Sequence, residues 1–131
     1  MKVLLATDGS QHSIKAAAAV TRLLRLSGDS HVLVVHALPL VRFAGQDDVL
    51  MERAQRALDE TAATLDLPAE QVTTRLELGE PGEALLRVAA AENVDVIVMG
   101  ARGLSAGAAL VLGSTSYKVL RSAPCPVLVT Q

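Results

Sequence analysis

Short β-branched, apolar segments alternate with longer amphipathic segments along the 131-residue chain, and this alternation constrains the fold more than any other feature. Strands are predicted over residues 3–6, 31–37, 72–78, 94–99 and from 127 onward. Helices are predicted between them, ending near residues 26, 65, 93 and 122. Such alternation with short connections favours a parallel sheet covered by helices on both faces. We therefore expect one doubly wound α/β domain over residues 1–131.

The polarity of the strands predicts their order. Strands 1, 2 and 4 are continuously apolar, which is typical of interior strands, whereas strand 3 alternates apolar and polar residues as an edge strand does. We predict a five-stranded parallel sheet in the order 3-2-1-4-5. Ligands of such sheets bind at the carboxyl ends of the strands, where the order reverses. Here that point lies between the ends of strands 1 and 4.

Helical periodicity predicts which helix residues are buried. In the first helix the predicted buried face is Ala16, Ala17, Val20, Leu23 and Leu24. In the second helix it is Leu50, Ala54, Ala57, Leu58 and Leu65. Asn93 is predicted to end the third helix in a left-handed conformation.

Composition excludes several classes of function. The chain has one Phe, one Tyr and no Trp, so base stacking of the kind used by single-strand binders is not expected. Its net charge of −2 argues against a nucleic-acid or anionic membrane surface. No apolar run reaches the ~20 residues of a membrane span, and the opening apolar stretch ends at Thr7, too early for a signal peptide. Cys125 is alone, which favours a cytoplasmic protein, and we expect its side chain to be buried.

The strongest chemical signal follows strand 4. The strand runs into Gly100 and Gly103, and nine residues later the chain reads Gly113-Ser114-Thr115-Ser116. Glycine lets backbone amides approach an anion, and the amides that begin a helix favour negative charge. This Gly-x2-Gly-x9-Gly-Ser pattern therefore predicts a phosphate site. The P-loop and the Gly-x-Gly-x-x-Gly dinucleotide fingerprint are both absent.

The chain also resembles the universal stress protein family. The resemblance covers its whole length and is most specific over residues 94–130, in Met99 to Ser105, Leu112-Gly113-Ser114 and Val119 to Val129. Residues 4–10 and 79–81 share it. The family branch that carries Gly-x2-Gly-x9-Gly-Ser/Thr binds ATP, so the resemblance implies an ATP site here.

Family roles can be transferred to matching positions. Gly100 and Gly103 would approach the ribose and phosphates, and the phosphates would be held by Gly113, Ser114 and Thr115. The backbone after strand 2, around Ala37, would meet the adenine. The remaining predicted binding residues are Thr7 and Asp8, which would line the crevice from strand 1, and Ala6, Met99, Arg102 and Ser116. Arg102 is the nearest cation, because the nine-residue spacer carries no charge.

Structural roles compete with these functional ones. Asp8 would equally well shape its turn through an Asx hydrogen bond. Gly103 and Gly113 could end elements, and Arg102 could be a solvated charge. His12, His31 and His36 lack metal-ligand spacing, although His12 could lie near the phosphates. Gly103-Leu104-Ser105-Ala106-Gly107 matches the hydrolase elbow Gly-x-Ser-x-Gly, but no histidine follows it to complete a triad.

These observations favour a cytoplasmic, homodimeric regulatory module that binds ATP, with Mg²⁺ bridging the phosphates, and signals to an unknown protein partner. The resemblance implies a dimer through strand 5 (Val127, Leu128 and Val129), an uncovered apolar edge. Hydrolysis or self-phosphorylation would be slow, because Asp8 is the one evident general base. The alternatives are an adenine-nucleotide-dependent enzyme, adenylylating or ATPase, and a dimeric scaffold without nucleotide.

Overall fold

The computed structural model describes residues 1–39, 47–101 and 112–131, and its centre is a parallel sheet. The strands have the order β3-β2-β1-β4-β5, which confirms the predicted fold class and topology. The strands are β1 (Lys2–Ala6), β2 (His31–Leu38), β3 (Val72–Leu78), β4 (Val96–Gly100) and β5 (Val127–Thr130). All four strand pairs are parallel.

Helices cover both faces of this sheet. They are α1 (Gln11–Leu24), α2 (Asp47–Thr64), α3 (Pro81–Glu92) and α4 (Ser114–Ser122), with a short 3-10 turn at Ala69–Gln71. One core contains Val3 and Leu5 of β1 with side chains of α1 and α2, including Val20 and Leu58. The opposite core packs Leu4 against side chains of α3 and α4.

The interior strands are apolar throughout because both of their faces are buried. Successive side chains of β1 point to opposite faces, and Val3, Leu4 and Leu5 are each at most 1% exposed. Leu5 pairs with Val34 on one side and Val98 on the other, so β1 is central. This pairing brings the carboxyl ends of β1, β2 and β4 to one edge.

Some predicted boundaries were wrong. Helix α1 ends at Leu24, not near Leu26, and its cap residue is Arg25. The predicted burial of Leu23 was also wrong. Its side chain is 42% exposed, because the buried face of α1 is narrow and centres on Ala16, Ala17 and Val20. Strand β4 begins at Val96 instead of residue 94, since the Val94 amide donates to the Ala89 carbonyl at the end of α3.

Other packing predictions had mixed outcomes. Leu50 is only half-buried, and Leu65 is buried just beyond the end of α2. Cys125 is also partly buried instead of fully enclosed, and burial raises the pKa of its thiol. Asn93 does end α3 in the left-handed conformation, with φ 50° and ψ 50°. The edge position of β3 is confirmed by its half-exposed residues.

Candidate functional site

A cleft of about 570 Å³, counted to its open mouth, lies at the carboxyl ends of β1, β2 and β4. It is the location that the strand order predicts, because the chain order reverses between β1 and β4. Helices α1, α3 and α4 contribute residues near their amino termini. The described lining consists of Ala6, Thr7, Asp8, Ser10, His12, Ser13, Val35, Ala37, Pro81, Leu85, Met99, Gly100, Thr115 and Ser116.

The turn between β1 and α1 is organised by Asp8. Its Oδ1 accepts hydrogen bonds from the Ser13 hydroxyl at 2.7 Å and from the Ser10 amide at 2.9 Å. The Asp8 amide in turn donates to Ser13 Oγ at 3.0 Å. The hydrogen bond from the Ser10 amide, two residues after Asp8, forms the Asx turn that the sequence indicated as a structural role for Asp8. Asp8 therefore shapes the cleft wall, and its predicted ligand contact stays a prediction.

The Thr7 side chain is bonded on the α2 side of the sheet. Its hydroxyl lies 2.7 Å from that of Thr61, a fully buried residue of α2, and it accepts from the Gly9 amide at 3.1 Å. The Thr7 carbonyl lies 2.9 Å from His36 Nδ1. These contacts fix the end of β1 against β2 and α2. Thr7 lines the cleft, as predicted, but its hydroxyl already has partners within the fold.

Helix α4 begins at the cleft with an open amino terminus. Gly113 is its cap residue, with φ −63° and ψ 160°, and no side chain of the described residues caps it. The first bond along the helix runs from the Tyr117 amide to the Gly113 carbonyl at 2.9 Å. The amides of Ser114, Thr115 and Ser116 thus have no intrahelical acceptor. Such amides, at the positive end of a helix, form a favourable environment for an anion.

Helix α3 begins near the same cleft but is closed by its own side chain. Both carboxylate oxygens of Glu80 are used: Oε1 accepts from the Gly82 amide at 3.1 Å and Oε2 from the Glu83 amide at 2.8 Å. Lys118 of α4 adds an ion pair to Glu80 at 3.0 Å. The Glu83 amide bond and Lys118 hold the pKa of the Glu80 carboxyl below its ordinary value. The preceding Gly79 has φ 135°, a turn conformation that side chains disfavour.

Gly100 has a packing reason to be glycine. A Cβ built on it would lie 2.7 Å from His12 Cβ and 2.8 Å from the His12 carbonyl carbon and oxygen. The end of β4 is thereby pressed against the first turn of α1. Ser116 Oγ also donates to the Gly100 carbonyl at 3.4 Å, which joins α4 to the same strand end.

Most of the predicted binding residues meet in this cleft. Eight of them line it: Ala6, Thr7, Asp8, Ala37, Met99, Gly100, Thr115 and Ser116. Gly113 and Ser114 are not among the lining residues and lie at the start of α4 beside it. Arg102 and Gly103 lie outside the described residues, as does the Gly-x-Ser-x-Gly segment. Ala37 belongs to β2 itself instead of the loop after it, because the strand continues to Leu38.

Six lining residues are not among the predicted binding residues, although the sequence allowed His12 a place near the phosphates: Ser10, His12, Ser13, Val35, Pro81 and Leu85. Ser10 is the cap residue of α1, and its Oγ accepts from the Ser13 amide. Pro81 and Leu85 enter because α3 crosses the sheet beside α4, a tertiary arrangement that spacing does not reveal. The Gly79-Glu80-Pro81 sequence was the available signal, since a proline at the first helical position marks where α3 begins.

Titratable side chains are sparse in the cleft. In its described lining only Asp8 and His12 can carry charge, and neither Lys nor Arg is present. Within the described ranges, no group of three or more His, Cys, Asp or Glu residues could hold a metal ion. The same ranges contain no helix long and apolar enough to cross a membrane.

Comparison with known proteins agrees with this architecture. The model described as the Universal stress protein family matches residues 1–131. The chain belongs to the universal stress protein family. A universal stress protein of Thermus aquaticus is 42% identical over 136 residues, covering 98% of this chain and 97% of the relative.

Solved structures of the family share the fold. A universal stress protein from Archaeoglobus fulgidus superposes with a TM-score of 0.85 at 24% identity, covering 100% of this chain and 98% of that one. Another universal stress protein, solved in complex with cAMP, has a TM-score of 0.67 and 26% identity. That comparison covers 100% of this chain and 96% of the other.

Proposed function

We propose that this universal stress protein is a regulatory module that binds an adenine nucleotide, with ATP as its principal ligand. The observation that carries the proposal is the cleft at the ends of β1 and β4, beside which the open amino terminus of α4 begins. A polyphosphate placed there would meet amides that lack intrahelical acceptors.

The two sides of the cleft suit the two ends of a nucleotide. Apolar side chains of Val35, Ala37 and Leu85 line its β2 and α3 side, where a planar base would replace water. Hydroxyls of Thr115 and Ser116 line the α4 side. We therefore place the adenine toward Ala37 and the phosphates toward α4. Hydrogen bonds to a charged group are worth about 1.5–3 kcal/mol each, so a few amides would sustain micromolar affinity.

The solved relative that binds cAMP supports an adenine nucleotide as the ligand class, because its chain aligns with the whole of this one. ATP in particular is proposed from the Gly-x2-Gly-x9-Gly-Ser pattern. Gly113, Ser114 and Thr115 would hold its phosphates, with Gly103 and Arg102 of the preceding segment contributing as the family resemblance implies.

We propose that Mg²⁺ accompanies ATP and is held mainly by phosphate oxygens and water, which is the usual binding mode of this ion. The described residues fit this mode, since Asp8 is the one carboxylate of the described lining. Turnover of ATP is expected to be slow, because Asp8 Oδ1 already accepts bonds from Ser10 and Ser13. A general base must be able to accept a proton from the attacking water.

We also propose that the protein acts in the cytoplasm as a homodimer that signals to a protein partner. Strand β5 lies at an edge of the sheet, where Leu128 is 37% exposed between Val127 and Val129. Tyr117 and Leu120 of the neighbouring α4 are 59% and 41% exposed. Pairing with a second copy would cover this apolar edge. Sedimentation should give the mass of two chains; the mass of one chain at high micromolar concentration would contradict the dimer.

The nucleotide proposal is tested first on the purified protein. Denaturation and chromatography of the supernatant should release an adenine nucleotide, and calorimetry of nucleotide-free protein with ATP and Mg²⁺ should show saturable binding. Absence of both heat and thermal stabilisation at millimolar ATP would refute the proposal and favour the scaffold alternative. Pyrophosphate release with candidate acids or amines would instead indicate an adenylylating enzyme.

A further inference from the structure

His12 lies in the wall of the cleft, and one nitrogen of its ring is unsatisfied by any group in the described part of the chain. It is the second residue of α1 and is half-buried. Its Nδ1 atom is buried and has no hydrogen-bond partner among residues 1–39, 47–101 and 112–131. Buried polar atoms of folded proteins nearly always have partners, so such an atom in a binding cleft indicates a partner that arrives with a ligand or a water molecule.

The position of His12 is fixed from two sides. Its Cβ and carbonyl group lie against Gly100, so closely that a methyl group at Gly100 would approach within 2.7 Å. Gly100 is in turn bonded to Ser116 of α4. His12 is therefore anchored at the end of β4, to which Ser116 of α4 is also bonded. Ala37, where we place the adenine, belongs to β2, which is separated from β4 by β1.

The ionisable side chains of the cleft also place His12 with the phosphate end of the ligand. His12 is the only side chain of the described lining that can become positive, and Asp8 is the only one that can become negative. Asp8 Oδ1 accepts from Ser10 and Ser13 within the turn. A phosphate in this cleft would thus meet helix amides, hydroxyls and one imidazole.

We infer that His12 is a further ligand-contact residue, which donates a hydrogen bond from Nδ1 to the phosphate end of the bound nucleotide. The inference rests on the proposed nucleotide site and adds to it a residue outside the glycine pattern. Phosphate oxygens only accept, so Nδ1 carries the proton in the complex, either as the Nδ1–H tautomer or as the imidazolium.

The test compares three substitutions, His12→Ala, His12→Asn and His12→Gln, by calorimetry with adenosine, AMP and ATP. Asparagine carries its amide nitrogen on Cγ, as histidine carries Nδ1, whereas the glutamine amide lies one bond further out. His12→Ala should weaken AMP and ATP roughly 10- to 100-fold, the loss of one charge-assisted bond. Adenosine, which has no phosphate, should change less than about twofold. His12→Asn should recover most of the AMP affinity, and His12→Gln should not.

Two results would overturn the inference while leaving the nucleotide site intact. Unchanged AMP affinity in His12→Ala would show that Nδ1 bonds water instead of ligand. Equal losses for adenosine and AMP would show that His12 only supports packing against Gly100. Melting temperatures of the three variants identify any loss of folding, and His12→Asn keeps the test decisive if His12→Ala unfolds. Wild-type protein that binds none of the ligands would refute the proposed site and this inference together.

Discussion

Helices α3 and α4 begin at the same edge of the sheet, yet their amino termini differ in side-chain capping. The first turn of α3 is closed by the Glu80 carboxylate, which accepts from the amides of Gly82 and Glu83. The first turn of α4 starts at Gly113, which has no side chain to act as a cap. The start of α3 thus carries a carboxylate of its own, whereas no side chain in the described part of the chain caps the start of α4. The difference teaches that two helices starting at the same sheet edge can differ in whether the chain supplies its own anion, and for this reason we propose the phosphate site at α4 and not at α3.

The largest effect should come from giving α4 the kind of cap that α3 has. Gly113→Asp introduces a carboxylate that the observed φ of −63° permits and that competes with phosphate for the same amides. We expect ATP affinity to fall on the order of 100-fold, while stability rises by a few tenths of a kcal/mol. Calorimetry and thermal unfolding measure the two changes.

Gly113→Asn is the matched control, since it caps the helix without adding charge and should weaken ATP less than Gly113→Asp does. Full ATP affinity in Gly113→Asp would mean that the phosphates bind elsewhere, and the contrast between the two helices would lose its functional meaning.

A smaller effect, on stability alone, should follow from opening α3. Glu80→Ala removes both amide bonds and the Lys118 ion pair, and we expect a loss of about 1 kcal/mol in the free energy of unfolding. Its ATP affinity should stay within about threefold of wild type, because α3 is not expected to hold the phosphates. A binding loss as large as that of Gly113→Asp would break the comparison.

The pH dependence of this cap sharpens the prediction. The folded pKa of Glu80 is lowered, so its stabilisation is complete above the ordinary pKa of about 4.5 and is lost as the pH falls through the lower folded value. Glu80→Gln keeps an acceptor oxygen but removes the charge. The free energy of unfolding, measured with denaturant between neutral pH and pH 3, should therefore fall less steeply for Glu80→Gln than for wild type. Parallel curves would contradict a stabilising role for the Glu80 charge.

The smallest effect is expected for Lys118, whose amine bridges Glu80 and Glu83 at 3.0 and 3.1 Å. The pair is solvent-exposed, and exposed ion pairs contribute little to stability. Lys118→Met should lower the melting temperature less than Glu80→Ala does, and the loss should vanish in high salt. A larger loss than Glu80→Ala would show that Lys118, not the cap, holds α3 and α4 together.

The fold was predicted well from the sequence because the burial of each strand determines its pattern of apolar and polar residues. Apolar runs such as that of β1 arise when both faces of a strand are covered, and the alternation of β3 marks an edge. The prediction for Leu23 was wrong because this residue lies at the border of the apolar face of α1. Periodicity does not determine whether a border residue is buried or exposed. Such a choice depends on how the neighbouring elements pack.

The site was predicted less completely, because some of its contacts join residues that are far apart in the sequence. The strand ends and the start of α4 follow from local pattern, so residues such as Asp8 and Thr115 were found. The Thr7–Thr61 contact joins positions 54 residues apart, and His12 is placed by its packing on Gly100. Glu80 was not expected as a cap because Ser, Thr, Asp and Asn are the common choices.

The most direct test of the central claim is an NMR titration of ¹⁵N-labelled protein with ATP and Mg²⁺, followed at the backbone amides of the two helix starts. We predict saturable shifts at Ser114, Thr115 and Ser116, with those of Gly82 and Glu83 nearly unchanged because Glu80 already occupies them. Binding that leaves the α4 amides unmoved, or that shifts the α3 amides instead, would contradict the account.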